Sequence, residues 1–166
     1  LNQHYIEACE QVKEQNANVP GIRWVPQQNL HITTLFIGDV AEAEIENLCV
    51  NINTILQQHN AFTLAFEKFV FMPQRKPRMI WLKFKKSSDF ARLNLALSHK
   101  LLDRDPDHPP KAHITLARFK KPPRQTIILP ETDLPTVDFD EIRLYQSILK
   151  PGGAEYSILN KFRLKG

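Results

Sequence analysis

The stretch "NLHITTLFIG", residues 29–38, places a histidine inside an apolar run. The run predicts a buried strand, in which His31 needs a partner or a chemical role. The apolar residues expected in the core are Ile32, Leu35, Phe36 and Ile37. The pattern returns far along the chain as "KAHITLARF", residues 111–119. The sequence His-Ile-Thr thus occurs twice, each time in a predicted strand. This repetition needs a physical explanation.

Length and composition predict one globular domain over residues 1–166. Hydrophobic residues make up 42% and charged residues 24%, an ordinary globular composition. No apolar run approaches the roughly 18–20 residues of a membrane span, and the opening "LNQHYIEACEQ" does not resemble an export signal. Cys9 and Cys49 form no C-x-x-C pair, which predicts two reduced, packed thiols. We therefore expect a cytoplasmic protein with no membrane association.

The net charge is +4 and the pI is about 9.1. This balance is compatible with a partner that carries phosphate, although it does not require one. The placement of the cations is more informative, because they form two clusters. One cluster contains Arg75, Lys76 and Arg78, and the other contains Arg118, Lys120, Lys121 and Arg124.

Hydrophobic periodicity predicts three helices. These span residues 4–16, residues 40–58 with Asp39 as N-cap and Glu42 as its reciprocal partner, and a segment capped by Ser87 or Ser88 that ends at "DRDPDHPP". Strands are predicted at 61–72, 78–84, 136–149 and 154–164, in addition to the two His-Ile-Thr segments, with a turn at "KPGG". Residues 120–135 are basic and rich in proline, which predicts a long surface loop.

The order of these elements predicts the α+β class, because helices interrupt hairpins that read as antiparallel. Each His-Ile-Thr strand adjoins an amphipathic helix. This arrangement suggests two similar lobes, although no fixed repeat period is visible.

Side chains alternate along a strand, so His31 and Thr33 project together, as do His113 and Thr115. If the two pairs face each other, they make a cleft with two imidazoles and two hydroxyls. With an ordinary pKa of ~6.5, one imidazole can be neutral and accept a proton while the other is cationic and donates one. The hydroxyls can donate hydrogen bonds to phosphate oxygens. This set is suited to acid–base chemistry at phosphorus.

Two other interpretations compete with this one. Two histidines could be metal ligands, but a metal site needs three or four ligands, and neither motif carries another at ligand spacing. A basic RNA-binding module could instead use Trp24, Phe36 and the cation clusters, with the motifs as core strands. The remaining histidines are interpreted as solvated or structural; they are His4, His59, His99 and His108.

The doubled motif resembles the hallmark of the two-histidine phosphoesterase superfamily, a His-x-Thr-x sequence that occurs twice. Here the copies are "HITT", residues 31–34, and "HITL", residues 113–116. "RWVPQQNLHITTLFIGDV", "RKPRMIWLKF" and "AHITLARF" also resemble segments of the RNA 2′,3′-cyclic phosphodiesterases, historically called 2′-5′ RNA ligases. Together these matches span most of residues 20–120.

The resemblance implies two pseudo-symmetric lobes, each an antiparallel sheet flanked by helices, with both motifs in a central cleft. It also implies a core strand before the first helix, whereas the given sequence opens directly on that helix. His31 is implied as the proton donor and His113 as the proton acceptor. Thr33 and Thr115 bind the phosphate, and Arg118 and Arg78 are further candidates for substrate binding. Arg118 can reach the face of His113 only through a bulge or a strand end near Ala117.

The implied reaction opens a terminal 2′,3′-cyclic phosphate to a 2′-phosphate, and its reverse would join RNA ends through a 2′-5′ bond without ATP. No cofactor and no metal are implied. The implied partners are RNA ends or small nucleotides with a cyclic phosphate, and the protein is expected to be a monomer with no obligate protein partner. Relatives that act on ADP-ribose cyclic phosphate or on 2′-5′ oligoadenylates leave the substrate open.

Overall fold

A computed structural model describes residues 2–150 and 153–166, and side chains are described for all of these except residues 150, 153 and 154. The α-helices are α1 (Gln3–Gln15), α2 (Ile45–Leu56) and α3 (Ser88–Leu102). The strands are β1 (Arg23–Trp24), β2 (Phe62–Leu64), β3 (Phe66–Met72), β4 (Met79–Phe84), β5 (His113–Arg118), β6 (Val137–Phe139), β7 (Glu141–Lys150) and β8 (Gly153–Arg163). Short 3₁₀ helices span Gln27–Asn29 and Glu42–Glu44.

The chain forms two compact units, each assembled from separate stretches of sequence. The first unit contains the chain up to Thr33, Leu64–Lys86 and Lys111–Val137. The second contains Thr34–Thr63, Ser87–Pro110 and the chain from Asp138 onward. The strand pairs β1–β5, β3–β4, β4–β5 and β7–β8 are all antiparallel. Because helices occur together with these antiparallel strands, the predicted α+β class is confirmed. The central cleft stays a prediction.

The first unit is built on a four-stranded sheet in the order β1-β5-β4-β3. Burial alternates strictly along β4, where Ile80, Leu82 and Phe84 are buried and the residues between them are half-buried. The ring of Tyr5 on α1 stacks on Phe84, with centroids 5.6 Å apart. Helix α1 therefore covers the apolar face of the sheet, and the opposite face carries the candidate site.

Helix α1 also holds the long loop that follows β5. The amide of Asn16, which is buried, donates from Nδ2 to the carbonyl of Ile128 and accepts from its N–H, at 2.8 and 2.7 Å. The hydroxyl of Tyr5 donates to the carbonyl of Pro135 at 2.8 Å. Residues 120–135 contain no helix or strand, as predicted. Only the later part of this loop is fastened by these bonds, so the basic part before Ile128 stays at the surface.

The second unit contains α2, α3 and two pairs of strands, β2 with β6 and β7 with β8. Phe139 stacks on Phe62 and meets Phe90 of α3 edge to face. Ser87 caps α3 by accepting from the Phe90 N–H at 3.2 Å, as predicted. The helix ends at Leu102, just before the proline-rich stop. The predicted turn between β7 and β8 lies partly outside the described residues.

The prediction of a buried strand at residues 29–38 is wrong. Ile32 forms a single bridge with Ile114, and the described backbone of residues 33–38 forms no ladder. Leu35 and Ile37, like Ile32, are only half-buried, and Phe36 is 78% exposed. Apolar composition leads to burial only where a partner surface is available, and the chain leaves the first unit at this point.

The predicted start of the second helix, at residue 40, is also wrong. A 3₁₀ turn occupies Glu42–Glu44, and α2 begins at Ile45 with no side-chain cap. Asp39 therefore does not cap this helix. The predicted strand at 61–72 is interrupted at Ala65, which separates β2 from β3. Cys9 and Cys49 are free thiols, as predicted, and burial raises the pKa of Cys9 to about 12.

Among the described residues, none of the helices combines the length and the apolar character needed to cross a membrane.

Candidate active site

A single backbone bridge brings the two His-Ile-Thr motifs side by side in the first unit. Ile32 lies directly opposite Ile114 in antiparallel orientation. In this register, the adjoining positions place His31 beside Thr115 and Thr33 beside His113. Each histidine thus neighbours the threonine of the other motif, although the two motifs are far apart in sequence.

The two histidines occupy a diagonal of this arrangement. Directly opposed residues in such a pair have Cβ atoms about 5 Å apart, and diagonal neighbours are about 7–8 Å apart. The latter spacing is compatible with one tetrahedral anion between the two imidazoles. Ile114, which points the other way, is fully buried, so the motif face and the core face are clearly separated.

Both histidine rings are oriented by the same local hydrogen bond. The Nδ1 of His31 lies 2.7 Å from the carbonyl oxygen of Asn29, and the Nδ1 of His113 lies 2.7 Å from that of Lys111. A carbonyl oxygen can only accept, so Nδ1 carries the proton in each ring. Nε2 is therefore the nitrogen of each ring that these bonds leave available for the predicted acid–base roles.

Burial lowers the pKa of His113 below its ordinary value of 6.5. The hydrogen bond to the Lys111 carbonyl opposes this shift, while positive charge on His31, Arg118 and Lys111 adds to it. Both burial and neighbouring cations disfavour the imidazolium form. His113 is therefore neutral near pH 7, which is the state that a proton acceptor needs.

Trp81 stacks on His113, with ring centroids 3.6 Å apart and an interplanar angle of 19°. It lies on the half-buried face of β4, between Met79 and Lys83. Lys83 pairs with His113 in the sheet and forms an ion pair with Glu67 at 2.7 Å. Trp81 was not among the residues predicted for the site. A large aromatic residue on the polar side of an alternating strand was the available signal.

Strands β4 and β5 go out of step by one residue. Trp81 lies opposite Thr115, whereas Ile80 lies opposite Ala117. Leu116 is therefore the extra residue of a bulge, and both Leu116 and Ala117 are buried. A bulge of this kind shifts the following residue to the other face of the strand.

The bulge brings Arg118 to the face of the candidate site. Arg118 lies opposite Met79, which shares a face with Trp81, and Trp81 lies opposite Thr115. Arg118 is exposed, and its charge acts on His113. The bulge that its predicted role requires is therefore present, and the role itself stays a prediction.

Arg78 is not brought to the histidines in the same way. It precedes β4, its N–H donates to the carbonyl of Met72, and its own carbonyl accepts from the N–H of Phe119. Its side chain is exposed, and its position in the alternation differs from that of Met79 and Trp81. Arg23 on β1, which lies opposite Arg118, is a stronger candidate that the sequence analysis missed.

Replacing Trp81 by alanine is expected to move the acidic limb of the pH profile of kcat/KM to higher pH. The predicted role of His113 as proton acceptor requires the neutral ring, so activity is expected to fall as pH drops through the pKa of this residue. Removing the indole exposes the imidazole, and its pKa rises toward the ordinary value. Displacement of the ring can also reduce kcat by up to ~10²-fold. The measurement is kcat/KM across the acidic and neutral range.

Trp81→Phe is the matched control, because it keeps an aromatic ring against His113. The buried Nε1 of Trp81 has no hydrogen-bond partner among the described residues, so its loss should cost little. The phenylalanine variant should keep the acidic limb of the wild type. An unshifted limb in Trp81→Ala would show that the stack does not control the pKa of His113.

In the part of the chain that the structure describes, no three His, Cys, Asp or Glu side chains cluster as metal ligands would. The two histidines of the site have hydroxyl and cationic neighbours instead.

Comparisons with known proteins identify the family of this chain. Residues 2–81 match the family model of the LigT-like phosphoesterases. An RNA 2′,3′-cyclic phosphodiesterase of Archaeoglobus fulgidus is 30% identical over 165 residues, which cover 94% of this chain and 92% of that protein. One from Thermus thermophilus is 31% identical over 156 residues, covering 88% and 77%.

Solved structures share the fold. The crystal structure of a protein from Thermus thermophilus has a TM-score of 0.87 and 27% identity, and the match covers 100% of this chain and 94% of that one. The chain belongs to the LigT-like phosphoesterase family, within the two-histidine phosphoesterases.

Proposed function

We propose that this protein is an RNA 2′,3′-cyclic phosphodiesterase that opens a terminal cyclic phosphate to a 2′-phosphate. The observation that carries the proposal is the Ile32–Ile114 bridge, because it supports an arrangement in which both His-x-Thr pairs face the same space. The names of the relatives support the substrate class. E. coli LigT, which is 25% identical, was solved in complex with 3′-AMP, which fits a nucleotide substrate.

In the proposed mechanism, His113 accepts a proton from the attacking water at Nε2. The water oxygen forms a bond to phosphorus, and the bond from phosphorus to the 3′ oxygen breaks. His31, protonated at Nε2, donates its proton to the leaving 3′ oxygen. The hydroxyls of Thr33 and Thr115 donate hydrogen bonds to the non-bridging oxygens, where charge accumulates. The histidines regain their starting protonation states by exchange with solvent.

Mass spectrometry of the product from a cyclic-ended oligonucleotide tests this function. The expected result, obtained in the presence of a chelator, is the gain of one water and co-migration with the 2′-phosphate standard. An unchanged cyclic end would contradict the activity. A 3′-phosphate product would contradict the assignment of the leaving group.

RNA ligation, the extent of the domain, the oligomeric state and the cellular location stay predictions. By reversibility, the same residues could join a 5′ hydroxyl to the cyclic phosphate and form a 2′-5′ bond. The single phosphoesterase domain over residues 1–166, the monomeric state and the cytoplasmic location are also expectations. A panel containing ADP-ribose cyclic phosphate and a 2′-5′ oligoadenylate separates the alternative substrates from RNA ends.

A further inference from the structure

Two basic segments that are distant in sequence meet at one end of the four-stranded sheet. Residues 73–78 form the connection from β3 to β4, and residues 119–124 follow β5 directly. The N–H of Phe119 donates to the carbonyl of Arg78 at 2.9 Å, which fixes the two segments side by side. The five cations that they contribute are called the basic rim here: Arg75, Lys76, Lys120, Lys121 and Arg124.

The basic rim is exposed, and the two segments that form it contain no acidic residues. All five side chains are exposed, and neither segment contains an Asp or Glu. Within residues 2–150 and 153–166, none of the ion pairs involves a rim residue. Exposed cations on two adjacent segments that contain no carboxylate favour an anionic partner.

The rim continues toward the candidate active site along β5. The strand runs from His113 to Arg118, next to the rim, and five residues of strand span about 16 Å. Arg118 lies between them on the face of the histidines, opposite Arg23 of β1. A polyanion whose terminal phosphate lies between the histidines can therefore place its neighbouring phosphates against the rim.

We propose that the basic rim binds the phosphodiester backbone of the RNA on the 5′ side of the terminal cyclic phosphate. This inference rests on the proposed function and adds to it the surface that binds the RNA chain next to its reacting end. Contacts from lysine and arginine to phosphates carry no sequence information, so binding of the backbone at the rim is expected to be independent of sequence. It also weakens as salt rises, because each neutralised phosphate releases counterions.

The test compares two variants that lose the same number of charges. The rim variant is Lys120→Gln, Lys121→Gln and Arg124→Gln. The control variant is Lys13→Gln, Lys100→Gln and Lys165→Gln, at exposed positions outside the rim. For each protein, kcat/KM is measured on a 2′,3′-cyclic mononucleotide and on a short single-stranded RNA with a cyclic end, across a range of salt. Fluorescence anisotropy with a 2′-phosphate-ended RNA measures binding without turnover.

The rim variant should raise KM for the oligonucleotide roughly tenfold at low salt, since an exposed charge pair contributes about twofold. Each phosphate that the protein neutralises on a single strand contributes roughly 0.7 to the slope of log(kcat/KM) against log[salt], so removing three cations should reduce that slope by about 2. The control variant should match the wild type on both substrates.

The inference would be overturned by equal losses of kcat/KM on the oligonucleotide in the rim and control variants, or by no loss in the rim variant. In either case, wild-type activity on the mononucleotide would still support the proposed function. A wild type that hydrolyses neither substrate would overturn the proposed function itself, and the inference that rests on it.

Discussion

Replacing His113 by alanine should lower kcat/KM on a cyclic-ended RNA by about 10²–10⁴, the usual contribution of a positioned general base. His113 suits this role because burial and neighbouring cations lower its pKa, so the ring is neutral near pH 7. Its Nδ1–H bond to the Lys111 carbonyl directs Nε2 to the reaction. The acidic limb of the pH profile, which reports this ring in the wild type, should disappear in the variant.

His4→Ala is the matched control for this substitution. His4 is an exposed histidine on α1 of the same unit and is not near either motif in sequence. It should keep wild-type kinetics and the wild-type pH profile. Near wild-type turnover in His113→Ala, with the variant folded by circular dichroism, would remove this residue from the mechanism.

Replacing His31 by alanine should cause a loss of similar size on the same RNA, for a different reason. His31 is proposed to protonate the leaving 3′ oxygen, an alkoxide that is a poor leaving group without a proton. A diester with a p-nitrophenolate leaving group needs little protonation. On that substrate His31→Ala should recover most of its activity, whereas His113→Ala should stay impaired because the attacking water still needs a base.

The double variant adds a check on this assignment. Both histidines are proposed to act in the same step, so their combined loss should be far smaller than the product of the two single losses. Recovery of His113→Ala rather than His31→Ala on the p-nitrophenyl substrate would mean that the two roles are reversed. Equal behaviour of the two variants on both substrates would argue against separate acid and base roles.

Much of the fold could be predicted from local patterns. Helices α1 and α3 follow their apolar periodicity, and Ser87 was recognised as a cap because its hydroxyl can satisfy a free N–H. Strand β4 shows regular alternation, and β5 does so up to its bulge at Leu116, which is the direct consequence of a sheet with one covered face. The doubled His-x-Thr led to the family, since two copies of a rare pattern carry more information than either alone.

The predictions that were wrong or incomplete share one physical cause. They concern features that depend on contacts between distant parts of the chain, which no local sequence pattern encodes. Residues 33–38 look like a core strand, yet their apolar side chains are at most half-buried, and Phe36 projects into solvent. The stack of Trp81 on His113 depends on the register between two strands. The face of Arg118 depends on the bulge at Leu116, which sequence analysis could state only as a requirement.

The roles of the site residues depend on one geometric claim, which is that both imidazoles contact the same phosphate. A crystal structure of the protein with a bound 2′-nucleotide tests it most directly. We expect one phosphate group with His31 Nε2 and His113 Nε2 both within hydrogen-bond distance of its oxygens, and with the hydroxyls of Thr33 and Thr115 beside them. A phosphate that contacts only one histidine, with the other ring directed elsewhere, would contradict it.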